Sequence, residues 1–140
     1  MVKLRRSAMA GILAAMLVLA GAGPAAADVY GTGKFSGRNG YSVSGPHRIV
    51  VNDGKRTLRF KKGFRSDGGP GLRVWLSKAG PKSGDSALAS SYIDLGSLKS
   101  ATGKQKYKIP KGRKLGKFKS VVVWCSKVAM AFGVAPIKKS

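Results

Sequence analysis

Few residues in this chain are equipped for chemistry, so those few carry the reading. There is one cysteine, Cys125, one histidine, His47, and five carboxylates, all aspartates, against 27 Lys and Arg. Cys125 ends the run Val121-Val-Val-Trp-Cys125 and is followed at once by Ser126 and Lys127. A thiolate is the reactive form of cysteine, and cationic surroundings favour it. The run before Cys125 predicts burial, which is where most free cysteines sit as small hydrophobes. Ser126 and Lys127 predict a strand surfacing at that point. The residues alone leave both readings open, a poised thiol or core filler.

The remaining candidates exclude more than they offer. His47 follows Gly45-Pro46 and is expected at an exposed turn without a role, because one histidine cannot build a metal site. No Gly-x-Ser-x-Gly elbow accompanies it, so a Ser-His-acid triad is excluded. Asp28, Asp53, Asp67, Asp85 and Asp94 are scattered, with no close pair for glycoside hydrolysis. Asp67-Gly-Gly is too sparse in oxygen ligands for calcium. Gly31-Thr-Gly33-Lys-Phe-Ser-Gly37 misses the dinucleotide spacing and reads as turn glycines. No Cys-x-x-Cys-His is present, which rules out covalent c-type haem. No catalytic constellation emerges, and the chain is not read as an enzyme with a defined reaction.

Charge supplies the second candidate site. From Lys99 to Lys119 there are nine basic residues and no acid. Lys104, Lys106 and Lys108 alternate onto one strand face, and Lys111, Arg113, Lys114, Lys117 and Lys119 follow as a cationic loop. Like charges this dense repel unless an anion relieves them. The functional reading is a polyanion surface for an acidic envelope component or an acidic partner protein. The plain alternative is a solvated edge that blocks strand pairing.

The elements that must position these residues are strands. An N-terminal leader comes first, with Lys3, Arg5 and Arg6 before an apolar stretch from Ala8 to Leu19. Ala25-Ala26-Ala27 then supplies small residues for a peptidase. Residues 1–27 are therefore expected to form a cleavable signal-peptide helix ending at Ala27. The mature chain, residues 28–140, is expected outside the cytoplasm, secreted or periplasmic, with no membrane span and no physiological nucleic-acid partner. Losing the three leader cations lowers the net charge from +22 to +19. An odd cysteine in an exported chain points to a free thiol or a disulfide-linked dimer.

The mature segment shows short alternating or apolar runs punctuated by turn residues. That pattern predicts one all-β domain, an antiparallel sandwich or barrel-like body of about eight strands. The runs are Tyr41–Ser44, Arg48–Val51, Thr57–Phe60, Leu72–Leu76, Tyr92–Leu95, Lys104–Ile109, Val121–Cys125 and Val128–Val134. Asn52-Asp53-Gly54 is a hairpin turn, because Asn, Asp and Gly tolerate positive φ. Lys78 to Ser91 reads as a loop. The last run is expected to place Val128, Met130, Phe132 and Val134 on one buried face. Trp75 and Trp124 are expected to be packing residues.

Eight stretches in order resemble the DM-thirteen domain, a proposed electron-transfer domain that accompanies DOMON domains and also occurs alone in bacterial exported proteins. They are Gly33-Lys-Phe-Ser-Gly37, Tyr41-Ser-Val-Ser-Gly45, Thr57-Leu-Arg-Phe60, Gly69-Pro-Gly-Leu-Arg-Val-Trp-Leu-Ser77, Ile93-Asp-Leu-Gly-Ser-Leu-Lys99, Gly103-Lys-Gln-Lys-Tyr-Lys-Ile-Pro110, Val121-Val-Val-Trp-Cys125 and Phe132-Gly-Val-Ala135. The resemblance implies a redox role for the strand-end cysteine, here Cys125, either as a bare thiol or through a prosthetic group such as haem. Haem ligands would have to come from Cys125, His47, Met130, a tyrosine or a loop group. Two positions depart from the family pattern. Tyr41 stands where relatives tend to carry His, and Gly71 where they tend to carry Asp, so any role of those side chains is not carried over.

Overall fold

Alternation and turn chemistry set the strands. The computed structural model of the protein describes residues 27–140. Residues 1–26 of the expected signal peptide, 1–27, lie outside the described residues. Ala27, the expected cleavage position, is exposed at the start of the described chain.

The elements are β1 (Asp28–Gly37), β2 (Val43–Asn52), β3 (Lys55–Phe60), β4 (Arg65–Ser66), β5 (Leu72–Ser77), the one-turn helix α1 (Asp85–Leu88), β6 (Tyr92–Ser97), β7 (Gln105–Ile109), β8 (Ser120–Cys125), β9 (Met130–Pro136) and β10 (Lys138–Lys139). A single 3-10 turn, Leu115–Lys117, lies between β7 and β8. The sheet runs β6-β5-β8-β9-β1-β2-β3-β7 with antiparallel neighbours, and the short β10 and β4 pair with β1 and β2. This is the expected all-β architecture of eight main strands, and it is barrel-like. The two edges nearly meet. The Lys99 N–H, just past β6, donates to the Tyr107 hydroxyl on β7 at 2.8 Å.

The Asp53-Gly54 turn sets the β2–β3 register. Both residues have positive φ, 53° and 78°, as a two-residue hairpin whose twist matches its strands requires. Asn52 then faces Lys55, and His47 faces Phe60. Leu58 and Phe60 point into the barrel, as alternation predicted, and Tyr107 and Ile109 do the same on β7. Leu72, Val74 and Leu76 on β5 join them with Val121, Val123 and Cys125 from β8.

A second apolar cluster covers the opposite face of β5, β8 and β9. It holds Trp75, Val122, Trp124, Ala131 and Val134, closed over by Leu88 of α1. All six residues of β8 are buried because both of its faces are covered. The covering segment, 78–91, is clamped at several points. The Arg38 guanidinium donates to the Ser83 carbonyl at 2.8 Å, and the Asn39 amide donates to Asp85 at 2.9 Å. Ser77 Oγ–H donates to the Leu88 carbonyl at 2.8 Å.

Four expectations are corrected. Tyr41–Ser44 and Arg48–Val51 are not separate runs. The chain passes through Gly45, at φ 101°, as one strand, Val43–Asn52. The glycines at 31, 33 and 37 are not turns but lie within β1. There they allow close approach: a Cβ on Gly33 would stand 2.0 Å from the Pro136 carbonyl oxygen and 2.6 Å from His47 Nε2. The last long strand begins at Met130, not Val128. Val128 is 47% exposed in the preceding turn. Finally, Phe132 and Val134 do not share a face. A bulge pairs Val123 with Gly133 but Trp124 with Ala131, so the extra residue Phe132 flips the parity. Phe132 and Ala135 face inward, Ala131 and Val134 outward.

Candidate functional site

Cys125 is the last residue of β8, paired in register with Leu72 of β5 and Met130 of β9. Its side chain faces the barrel interior and has no exposed surface. The expectation that the strand surfaces at the thiol is therefore corrected. Ser126 and Lys127 are exposed, but the loop from Asp67 to Gly71 folds over the sulfur. The Cys125 S–H donates to the Pro70 carbonyl at 3.1 Å, and Pro70 itself is exposed.

That loop is pinned at both ends. The Asp67 N–H donates to the Ser42 carbonyl at 2.8 Å, and the Asp67 carboxylate accepts the Ser42 N–H at 2.7 Å. At the other end the Gly71 carbonyl accepts both the N–H and the hydroxyl of Ser126, at 2.9 and 2.8 Å. Gly71 has φ 71°, and a Cβ there would meet Ser126 Oγ at 2.5 Å. The family-pattern Asp at this position would thus be strained here. Tyr41, the other departure, stacks on Phe132 at 3.6 Å between ring centroids.

His47 is only 1% exposed, which overturns the expectation of an exposed turn residue. It sits in the interior beside Phe35, against the backbone of Gly33, and its ring bonds the Pro136 carbonyl at 2.7 Å through Nε2. The neutral ring donates that hydrogen bond. Nδ1 is buried with no partner. Burial pushes the His47 pKa down to about 4, against a smaller upward pull from the Pro136 carbonyl.

The residues do not fit a haem. His47 packs at the Pro136 end of β9 and Cys125 at the Met130 end, six residues apart, or about 20 Å at ~3.3 Å per residue. One iron cannot take both. The interior between them is filled by Phe35, Phe60, Phe64, Leu72 and Phe132. Among the described residues no three of His, Cys, Asp and Glu group closely enough to hold a metal ion.

All eight predicted cationic residues, Lys104, Lys106, Lys108, Lys111, Arg113, Lys114, Lys117 and Lys119, are exposed. They do not form one patch. Lys106, Lys108 and Lys111 line a hollow with Lys55, Arg56 and Lys99. Arg113, Lys114 and Lys117 line another with Lys78, anchored by the buried Leu115 and Phe118. Sequence reasoning missed a third arrangement that shares Lys106 with the first. Lys138 faces Thr32, Thr32 faces Arg48, Arg48 faces Arg59 and Arg59 faces Lys106. Four cations thus lie in one row across the outer face, with strands ~4.8 Å apart. The signal was available: in a two-residue hairpin centred on Asp53-Gly54, positions 48 and 59 must face each other. Among the described residues only Arg38 and Arg73 form ion pairs, with Asp85 at 3.7 Å and Asp94 at 3.0 Å, so nothing neutralises the row.

Fold and site together define a small barrel-like β module with a lone thiol tucked beneath a loop at one end. The family model described as electron transfer DM13 matches residues 34–137, and the chain belongs to that family. Electron transfer is therefore its family-level description. Neither curated proteins nor solved structures gave a match.

Proposed function

We propose that this protein is an exported electron-transfer module whose redox atom is the bare thiol of Cys125. Export rests on the basic, apolar and small-residue stretches of residues 1–27, with cleavage after Ala27 leaving one domain, residues 28–140. The observation that carries the thiol reading is the cover. The buried S–H points at the carbonyl of Pro70, an exposed residue of the covering loop. Oxidation sends one electron to an external acceptor and one proton through that hydrogen bond to water. Gly68, Gly69 and Gly71 give the cover backbone freedom, so opening it needs no unfolding of the barrel. A disulfide-linked dimer through Cys125 requires the same opening.

The test is native-state thiol labelling. A small maleimide is expected to modify Cys125 much faster than the barrel unfolds, at a rate little changed by mild denaturant. Asp67→Ala, which frees the Ser42 N–H, is expected to speed it further. Labelling that tracks global unfolding in both proteins would overturn the reading. Intact mass from the native compartment checks the cleavage at Ala27.

A second reading has its own observation, the uncompensated row Lys138–Arg48–Arg59–Lys106. It supports a docking face for an acidic partner, either an envelope component or a redox protein. Lys104, Lys108, Lys111, Arg113, Lys114, Lys117 and Lys119 extend the field around it. Retention on an anionic surface that persists at ~0.5 M salt, where diffuse attraction is screened, is the expected result. It should be lost in the Arg59→Gln, Lys106→Gln double variant. Equal, salt-labile retention of both proteins would reduce the face to bulk charge.

A further inference from the structure

The outer aromatic cluster stacks three rings in a row, unlike the edge-on packing around Phe35 inside the barrel. Inside, Phe35 meets His47, Phe60 and Phe64 edge-on, with interplanar angles of 61°, 75° and 68°. Outside, Tyr92 lies flat on Trp75, at 3.7 Å and 14°, and Trp75 lies nearly flat on Trp124, at 4.4 Å and 19°. The three stacked rings are of the types that give up an electron most readily. The rings packed around Phe35, two further phenylalanines and a histidine, are not. The stack also has direction. Tyr92 is 41% exposed, whereas Trp75 and Trp124 are 5% and 7% exposed. Its inner end, Trp124, is the residue before Cys125.

We propose that Tyr92, Trp75 and Trp124 form an electron relay between the surface and Cys125. The relay rests on Cys125 being the redox atom. Electron tunnelling decays exponentially with distance, so rings in van der Waals contact exchange electrons far faster than separated ones. Trp124 and Cys125 point to opposite faces of β8, and the last step runs through the few bonds of their shared peptide. The covering side chains Leu88, Val122, Ala131 and Val134 keep water from the buried rings. That lowers the solvent rearrangement each transfer must drive. The Trp75 indole N–H is buried with no hydrogen-bond partner. An oxidised Trp75 therefore has no neighbour to take its proton. It stays a strongly oxidising cation and passes the vacancy on instead of trapping it.

The step balances with one external reagent, a high-potential one-electron oxidant at the exposed edge of Tyr92. The oxidant gains one electron. Tyr92 releases its phenol proton to water as it loses the electron and takes one back as Trp75 reduces it; the vacancy then passes from Trp75 to Trp124 and is filled by Cys125. The thiol loses that electron, and its proton leaves through the Pro70 carbonyl to water. The product is a thiyl radical at Cys125, with the three rings restored.

The experiment generates azide radicals by pulse radiolysis in aerated solution of the full mature protein, residues 28–140. Aromatic radicals are followed by transient absorption. Loss of Cys125 thiol is titrated after unfolding, because a thiyl radical adds dioxygen and is lost to the titration. The unsubstituted protein is expected to lose thiol as its tryptophanyl signal decays. Trp75→Phe is expected to cut thiol loss several-fold while keeping a ring in the stack. Tyr92→Phe, at an exposed position that leaves the fold intact, should also cut it. Tyr107→Phe, in the barrel interior and outside the stack, should not. Unchanged thiol loss in both Trp75→Phe and Tyr92→Phe overturns the relay but leaves Cys125 as the redox atom. Aromatic radicals that decay with no thiol loss in the unsubstituted protein overturn the Cys125 reading, and the relay with it.

Discussion

The two sides of the barrel solve the same packing problem differently. On the β5–β8–β9 side the sheet is covered on both faces, by the interior and by the outer aromatic cluster under segment 78–91. On the β2–β3–β7 side only the inner face is covered, and the outer face is cationic. Both ion pairs among the described residues lie on the doubly covered side or at its clamp. One side spends its surface on apolar contact and holds both ion pairs. The other leaves like charges facing each other, directly opposed in register, an arrangement that lowers stability. The thiol and the stacked rings belong to the first side, the candidate docking face to the second. The proposed electron path and the proposed docking face thus lie on different sides.

Removing the outer cover should have the largest effect. Leu88 is fully buried on α1 and seals the second cluster. Leu88→Ala is expected to cost about 2–5 kcal/mol, measured by chemical denaturation, because it deletes packed methyl groups and leaves a cavity. Tryptophan emission should shift to the red as water reaches Trp75 and Trp124. A small cost with unchanged emission would mean that the doubly covered side does not depend on its second layer.

That contrast also explains what the sequence made legible. Gln105-Lys-Tyr-Lys-Ile109 alternates because one face is wet, and its strand and facing were readable directly. Val121-Val-Val-Trp-Cys125 is continuous because both faces are dry, and burial was readable while facing was not. The fate of Cys125 was not legible. Its cover comes from a loop more than fifty residues earlier, and no local pattern reports such a contact. The Phe132 bulge was hidden for the same reason, since it exists only in the pairing with β8. His47 misled because Gly-Pro before it looks like a turn, whereas Gly45 carries a positive φ inside a strand. The basic stretch was plain in composition. The cationic row was not, since it assembles from four strands.

The next effect belongs to the interior of the singly covered side. His47 is the chain's one histidine, so a stability change in its titration range can be assigned. Unfolded, it takes up a proton at its ordinary 6.5; folded, burial holds the pKa at about 4. Between these values the unfolded state binds more protons, so stability falls as pH drops and levels off below about 4. The full loss is about 3 kcal/mol, since each tenfold drop in proton affinity is worth roughly 1.4 kcal/mol. Denaturation midpoints between pH 7 and pH 4 measure it. His47→Gln should flatten the slope across that window. A slope that survives the substitution would place the titrating groups elsewhere.

The smallest effect tests the charged face itself. Arg59 stands between Arg48 and Lys106 in the outer row, with no acid in an ion pair with any of the three. Arg59→Glu replaces two repulsive cross-strand contacts with two attractive ones. It should raise stability by about 0.5–1 kcal/mol in low salt. The gain should shrink towards zero near 1 M salt, where the screening length is ~3 Å. The same variant should lose retention on an anionic surface. A face that gains stability as it loses binding is one held in a repulsive arrangement for the sake of a partner. If the variant is no more stable than the parent in low salt, side-chain solvation already absorbs the repulsion, and the row becomes an ordinary wet face like the rest of β7.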